Sequence, residues 1–335
     1  MKKNRYTGIV IGCGAIGARW DTWEGRTAPR SHAGALARGK RTELVALVDS
    51  DRTRLKEAGI MFPRTRLYLS AEEAIKKEKP DIVVIATPPK THISLIQLAV
   101  RSGVKMIICE KPLAPSAREA TSLRKVFARP HSPVFVLNYQ RRFWPLFKRV
   151  RAYIANKNIG RIQQVACYYS NGLYNNAGHT IDAILFLLNE RITKVSGVEN
   201  TFNPAHPDGD INIDGILETK SGIRIALQSF DQRAYAIHHM QFFGTKGAIK
   251  LLDHGFSAEW STIKGDAVIP VFTVRHRAHN KVSFMQGALN EAIRCYEKKT
   301  RPVSGLTNGM EVIAVLDALR RSAAKLGKEM LVRYS

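Results

Sequence analysis

The sequence predicts an α/β protein of two domains. A doubly wound parallel sheet would fill residues 1–130, and an α+β domain with a mostly antiparallel sheet residues 131–335. Three observations carry this expectation. Apolar strands alternate with amphipathic helices through the first stretch, the first strand runs into a glycine-rich turn, and the second half shows strand pairs joined by tight turns. At 335 residues, with 44% hydrophobic and 24% charged residues, the chain has the size of about two globular domains and the composition of neither a disordered nor a fibrous protein.

Tyr6–Ile11 is the first buried strand, and Leu44–Asp49, Asp81–Thr87 and Val104–Cys109 are the next three. Between them, Ser70-Ala-Glu-Glu73 is a capping box opening a short helix. Thr91–Ser102 carries Ile93, Ile96 and Val100 at helical spacing and stops at Gly103. Ser116-Ala-Arg-Glu119 opens another helix. We place the boundary within Arg129–Pro133. Beyond it, Ile213–Glu218 and Ile223–Gln228 flank Lys220-Ser-Gly222, and His238–Phe243 and Ala248–Leu252 flank Gly244-Thr-Lys-Gly247. Late helices are expected from Ser283 to Lys298 and from Asn308 to Lys325, the second capped by Asn308 and Glu311.

Gly12-x-Gly14-x-x-Gly17 sits after a strand and before a helix, the context in which this spacing marks a dinucleotide-binding Rossmann unit. The first glycine permits the tight turn, the second lets the backbone approach a pyrophosphate, and the third allows close helix–strand packing. Ala15 and Ile16 complete the loop. Asp49, ending the next strand, would accept from both ribose hydroxyls of NAD and repel the extra phosphate of NADP; its alternative is a helix N-cap. It lies about 32 residues beyond Gly17 rather than the usual ~20, and the excess falls in Trp20–Arg30, which reads as an insertion. Arg52 and Arg54 leave NADP as the lesser expectation.

Two further segments carry chemistry. Glu110-Lys111-Pro112-Leu113 closes the fourth strand at the carboxyl edge of the sheet, where ligands bind in open α/β folds. There Lys111 is either a proton carrier or a solvent-facing cation. Asn175-Asn-Ala-Gly-His179-Thr-Ile-Asp182 leads into the apolar run Ala183–Leu188. If helical from Asn175, positions 175, 179 and 182 share a face and form either an active-site wall or a polar cap with His179 on a backbone carbonyl.

Together these segments resemble the Gfo/Idh/MocA oxidoreductases over nearly the full chain. The matches are the glycine motif at 12–17, Ala86-Thr87-Pro88-Pro89 with His92, Glu110–Leu113, Asn138-Tyr139-Gln140-Arg141-Arg142-Phe143, Gly178–Asp182 and the turn Gly244–Gly247. The resemblance implies an open-faced C-terminal sheet and a homo-oligomer, dimer or tetramer. It also implies cofactor contacts from Thr87, Pro88, His92, Glu110 and Lys111. Lys111 would meet the substrate hydroxyl, His179 would sit opposite as acid/base or substrate ligand, and Lys111–Pro112 would be a cis peptide. Tyr139, Asn175 and Asp182 join the expected substrate contacts. Many family members carry aspartate where this chain has Asn175, and glycine where it has Ala177. Asparagine takes no proton, so proton removal falls to Lys111 or His179. The asparagine form resembles members acting on nucleotide-linked amino sugars in polysaccharide synthesis.

The 52 Lys and Arg against 28 Asp and Glu give a net charge of +24, which asks for an acidic partner. Between Glu119 and Asp182 there is no acidic residue, while ten Lys or Arg occur. Arg141 and Arg142 are the leading ligands for a phosphate or carboxylate, and a solvated basic helix is the alternative for Lys148–Lys157. Without a recognition motif, nucleic acid is disfavoured as a partner. No apolar run reaches membrane-spanning length. The opening Met1–Ala18 mimics a secretory leader, but its glycines belong to the dinucleotide motif. The four cysteines lack metal-ligand spacing and read as reduced thiols of a cytoplasmic protein binding no metal. The expected activity is NAD-dependent oxidation of a secondary hydroxyl on a sugar, nucleotide-linked by the charge argument. The alternatives are a free-sugar or polyol dehydrogenase, an enzyme using NAD transiently in a lyase-like or glycosidase-like reaction, and a non-catalytic NAD-binding sensor.

Overall fold

A computed structural model describes residues 5–22, 29–128, 131–202, 209–264, 271–279 and 285–334. The chain forms two compact units, Met1–Phe143 with Val282–Met310, and Trp144–Lys281 with Glu311–Ser335.

In the first unit the elements run β1 Tyr6–Ile11, α1 His32–Arg38, β2 Thr42–Val48, α2 Arg52–Met61, β3 Arg66–Tyr68, α3 Ala71–Glu78 and β4 Ile82–Ile85. They continue with α4 His92–Arg101, β5 Met106–Cys109, α5 Ala117–Ala120, α6 Ser122–Phe127 and β6 Val134–Leu137. The six strands are parallel in the order β3-β2-β1-β4-β5-β6. The direction of winding therefore reverses between β1 and β4, the switch point where such sheets bind ligands beyond their carboxyl ends. Strands β4 and β5 are buried at every residue, which is why they read as unbroken apolar runs rather than alternating ones. At both expected capping boxes the serine caps its helix: Ser70 accepts from the Glu73 amide and Ser116 from that of Glu119. The sequence did not announce β3, a three-residue strand with no buried side chain, or β6, which follows the expected boundary.

The second unit contains α7 Pro145–Ala155, β7 Ile162–Ser170, a π-helical turn Leu173–Ala177, α8 Gly178–Leu188 and strands β8 Ile192–Glu199, β9 Ile213–Thr219 and β10 Arg224–Phe230. Then come β11 His239–Gly244, β12 Gly247–Leu252, β13 Ser257–Lys264 and β14 Val271–His279. After α9 Gln286–Lys298 and α10 Leu306–Ala323, β15 Met330–Leu331 closes a nine-stranded sheet ordered β14-β13-β12-β11-β7-β10-β9-β8-β15. Only the β7–β10 pair among its described pairings is parallel. Both expected hairpins are present, and Gly222 at φ +87° makes the tight turn of the first. Helix α8 buries nine of its eleven residues, so it is a core helix rather than an amphipathic cover.

The single boundary expected near residue 130 does not describe the structure, and Arg129 and Pro130 lie outside the described residues. The chain leaves the first unit after Phe143, and α9 returns to it. Ala288, Leu289, Ala292 and Ile293 of that helix join the core of Val10, Leu47, Met106, Ile108 and Val136. Glu297 takes the Tyr6 hydroxyl at 3.0 Å, and the Ser304 hydroxyl donates to Leu137 O at 2.7 Å. A boundary read from local composition cannot see a segment that comes back. The cap expected at Asn308 is also displaced. Helix α10 begins at Leu306, Asn308 Oδ1 accepts from the Gly305 amide, and Glu311 pairs with Arg191.

Candidate active site

Two of the three glycines are required sterically, and the third leaves an open approach. Gly12 has φ +98°, and a Cβ there would stand 2.6 Å from Ala86 O. A Cβ on Gly17 would stand 1.8 Å from Gly12 O, the close packing of turn against strand. Around Gly14 nothing lies within 4 Å of a Cβ position, so its backbone faces open space. At the end of β2, Asp49 is fixed against this loop: Oδ2 accepts from the Cys13 amide at 2.7 Å and Oδ1 from the Asp51 amide at 2.9 Å. The N-cap of α2 is Asp51, which takes the Thr53 and Arg54 amides, so the capping alternative belongs to Asp51 and not to Asp49. Arg54 pairs with Asp51 at 3.3 Å.

The late position of Asp49 has a structural cause. After Gly14 the chain makes one turn, with the Ala18 amide on Gly14 O, and then departs. It re-enters at α1, where the His32 amide donates to Ile16 O at 3.0 Å and the Ala33 amide to Gly17 O at 2.9 Å. Residues 32 and 33 thus close the turn that residues 20 and 21 would close in an unbroken helix. The expected insertion is a twelve-residue excursion within the first helix, and removing it restores the usual spacing of ~20. Asp21 ties its ends, accepting from the Arg30 amide and the Ser31 hydroxyl, while Ser31 caps α1. Residues 23–28 lie outside the described residues.

Beyond β5 the chain places Glu110 and Lys111 at the same carboxyl edge. Glu110 is 5% exposed and carries three polar contacts: His32 Nε2 at 2.8 Å, Asn138 Nδ2 at 2.6 Å and the Lys111 amide at 3.2 Å. Burial pushes its carboxyl up, but His32, Asn138 and the Lys111 charge outweigh this and hold it below the ordinary carboxylate value. Lys111 is half-buried, and the Lys111–Pro112 peptide is cis. His92, expected to touch cofactor, is instead fully buried at 0% exposure. Its Nδ1 lies 2.9 Å from Pro112 O and its Nε2 2.8 Å from Thr87 O. With both ring nitrogens on carbonyls it ties the β4 exit to the turn after Lys111. Burial pushes its imidazole toward the neutral form. Thr87 and Pro88 remain accessible at that exit, and Thr91 donates to the Thr87 hydroxyl at 2.7 Å.

Tyr139, Arg141 and Arg142 come down in and beside a short 3-10 turn, and all are buried. Arg142 Nη1 donates to Val303 O at 3.1 Å. The expected anion ligands are therefore 6% and 5% exposed, with Arg142 holding the segment between α9 and α10.

In the second unit the π turn leads into α8: the Ala177 amide bonds Gly172 O, five residues back. The helix expected from Asn175 therefore starts as a wider turn, a form that recurs at functional sites. Asn175 and His179 are half-buried, whereas Asp182 is buried within α8. The Asn175 amide donates to Asp210 Oδ2 at 2.8 Å, and Asn175 Nδ2 donates to Asn171 O. Beside His179, the Thr180 hydroxyl lies 3.0 Å from the buried His238 Nε2.

A family model described as an oxidoreductase family with an NAD-binding Rossmann fold matches residues 9–138, and the model of that family's C-terminal domain matches residues 169–250. The chain belongs to the Gfo/Idh/MocA oxidoreductase family. Inositol 2-dehydrogenase of Rhodococcus erythropolis is 29% identical over 195 residues, which are 54% of this chain and 56% of that enzyme. The chain thus spans little more than half the length of that relative. Inositol 2-dehydrogenase of Rhizobium meliloti is 25% identical over 94% of this chain and 96% of its own. The crystal structure of an aldose-aldose oxidoreductase from Caulobacter crescentus superposes with a TM-score of 0.80 at 17% identity, covering 98% and 99% of the two chains, a likeness of fold.

In this chain the cradle fits the family's dinucleotide: Gly14 is open to an approaching pyrophosphate, and Asp49 stands at the β2 end with spare lone pairs. Among the described residues no group of three or more His, Cys, Asp or Glu is placed to hold a metal ion, and no helix is long and apolar enough to cross a membrane. All four cysteines are buried free thiols. Two polar residues escaped the sequence reading. Asp210 had no signal in the sequence. His32 had one, since it falls three residues after Gly17 once the excursion is removed.

Proposed function

We propose that this enzyme oxidises a secondary hydroxyl of a free sugar or cyclic polyol, with NAD held by Gly12, Gly14, Ala15, Ile16, Gly17 and Asp49. The observation that carries the reading is Lys111 at the carboxyl edge of the parallel sheet, beside an ionised, buried Glu110 and level with the glycine cradle. The relatives named for inositol and the buried state of Arg141 and Arg142 favour an uncharged substrate over a nucleotide-linked one. When bound, NAD supplies a hydride acceptor.

The neutral Lys111 amine takes the hydroxyl proton, and Glu110 stabilises the ammonium that results. His179 and Asn175 hold substrate hydroxyls by hydrogen bonds, and Asn175 can orient but not deprotonate. The test is NAD reduction, followed by absorbance, with inositols, free aldoses and matched nucleotide sugars. Turnover of free polyols or sugars at rates above their nucleotide-linked forms is expected. Turnover confined to the nucleotide-linked set overturns the reading, and NAD binding without any turnover makes the protein a sensor.

A further inference from the structure

The contacts around Glu110 contain a residue that the reaction scheme leaves without a task. His32 lies just beyond the excursion, and its amide continues the helix that follows the dinucleotide loop. Its ring is 2% exposed and reaches across to the end of β5. An ionised carboxylate only accepts, so the 2.8 Å contact fixes the proton of His32 on Nε2. One carboxylate oxygen, Oε1, takes both His32 and Asn138, and the other, Oε2, takes the Lys111 amide.

We infer that His32 is a positioning residue for Lys111: it orients the Glu110 carboxylate and, by drawing charge toward Oε1, limits how tightly Lys111 holds its proton. This rests on Lys111 as the proton acceptor. A bare carboxylate beside a lysine favours the ammonium and removes the amine the reaction needs. A carboxylate already sharing its charge with two donors does so less, while still fixing the turn that carries Lys111. The groups facing this carboxylate are few: His32 from α1, Asn138 after β6, His92 from α4, Lys111, and the Cys109 thiol, which its charge helps push up.

The inference makes opposite predictions for the two partners. In His32→Ala the Glu110 charge turns undivided toward Lys111, so the ammonium persists to higher pH. In Glu110→Gln the charge is gone, so Lys111 loses its proton at lower pH. In His32→Gln, whose amide nitrogen can stand near the imidazole Nε2, the wild-type behaviour returns. The readout is the titration of Lys111 in isotope-labelled lysine NMR, its resonance assigned by its absence in Lys111→Arg. Shifts of about half to one pH unit are expected.

This measurement needs no substrate, so its failure is separate from a failure to turn over polyols. In the active enzyme the acidic limb of the kcat/KM profile moves in the same directions, while the Kd for NAD, read by tryptophan fluorescence, stays within about twofold. If His32→Ala does not fold, His32→Asn, too short to reach Glu110, carries the same test. A Lys111 titration that is unmoved or moves down in His32→Ala or His32→Asn overturns the proposal, as does loss of NAD binding in step with turnover.

Discussion

Lys111 and His179 stand at the ends of two differently built supports. Lys111 follows a parallel strand buried at every residue and is backed by a carboxylate whose oxygens are all engaged. His179 opens a helix that is apolar nearly all round, entered through a π turn whose Asn175 amide is held by Asp210. The first support is made of charge and hydrogen bonds in a dry place, where each partner counts for more than it would in water. The second is made of packing, with polar groups confined to its entrance. A side chain whose proton affinity matters needs the former, and one that only has to point needs the latter. On the proposed reading, Lys111 on the first support carries the proton and His179 on the second orients substrate.

Substitutions can break that division. Lys111→Ala should lower turnover by about 10²–10⁴-fold, the range of positioned proton transfer, with NAD binding near normal. His179→Ala should act mainly on KM, and a loss of kcat as large as that of Lys111→Ala would erase the distinction. Gly17→Ala places a methyl 1.8 Å from Gly12 O and should cost about 2–4 kcal/mol of stability, read as a fall in the urea midpoint. Asp49→Ala should reduce the preference for NAD over NADP by about tenfold in steady-state kinetics, since a charged hydrogen bond is worth about 1.5–3 kcal/mol.

The smallest effect concerns acid. Glu110 sits below its ordinary value of 4.5 in the folded protein, so the stability it contributes is complete above that value and is lost as pH falls through the folded one. The stability difference between wild type and Glu110→Gln should therefore be flat near neutrality and move against the wild type only in acid. A difference constant at all pH values would mean that Glu110 is not ionised.

The two sheet classes were legible where local pattern and tertiary role agree. Ile82–Ile85 and Met106–Cys109 are apolar because helices cover both faces, and Gly12, Gly14 and Gly17 carry their reasons in their spacing. What was hidden depends on contacts between distant residues. Nothing in Gln286–Lys298 says that it packs against Val10 and Met106. Nothing local tells Arg142 that its partner is Val303, or His92 that both its nitrogens are taken by carbonyls. Arg141 and Arg142 read as anion ligands because a pair of arginines looks alike whether it faces solvent or the interior. Asp210 shows the reverse failure, an acid in a polar stretch that the fold carries to the start of α8.

Where the chain leaves Arg19 and returns at His32, the backbone on either side is already in helical register, so the site behaves as a splice junction. Joining Arg19 directly to His32 should leave α1 and the Glu110 contact in place. Conversely, the junction can accept a longer passenger, since each doubling of a flexible loop costs only ~0.6 kcal/mol of closure entropy. The mouth of a cofactor loop is thereby a point of entry for new sequence, and a sensing or docking module grafted there would be anchored one residue from the imidazole that faces Glu110.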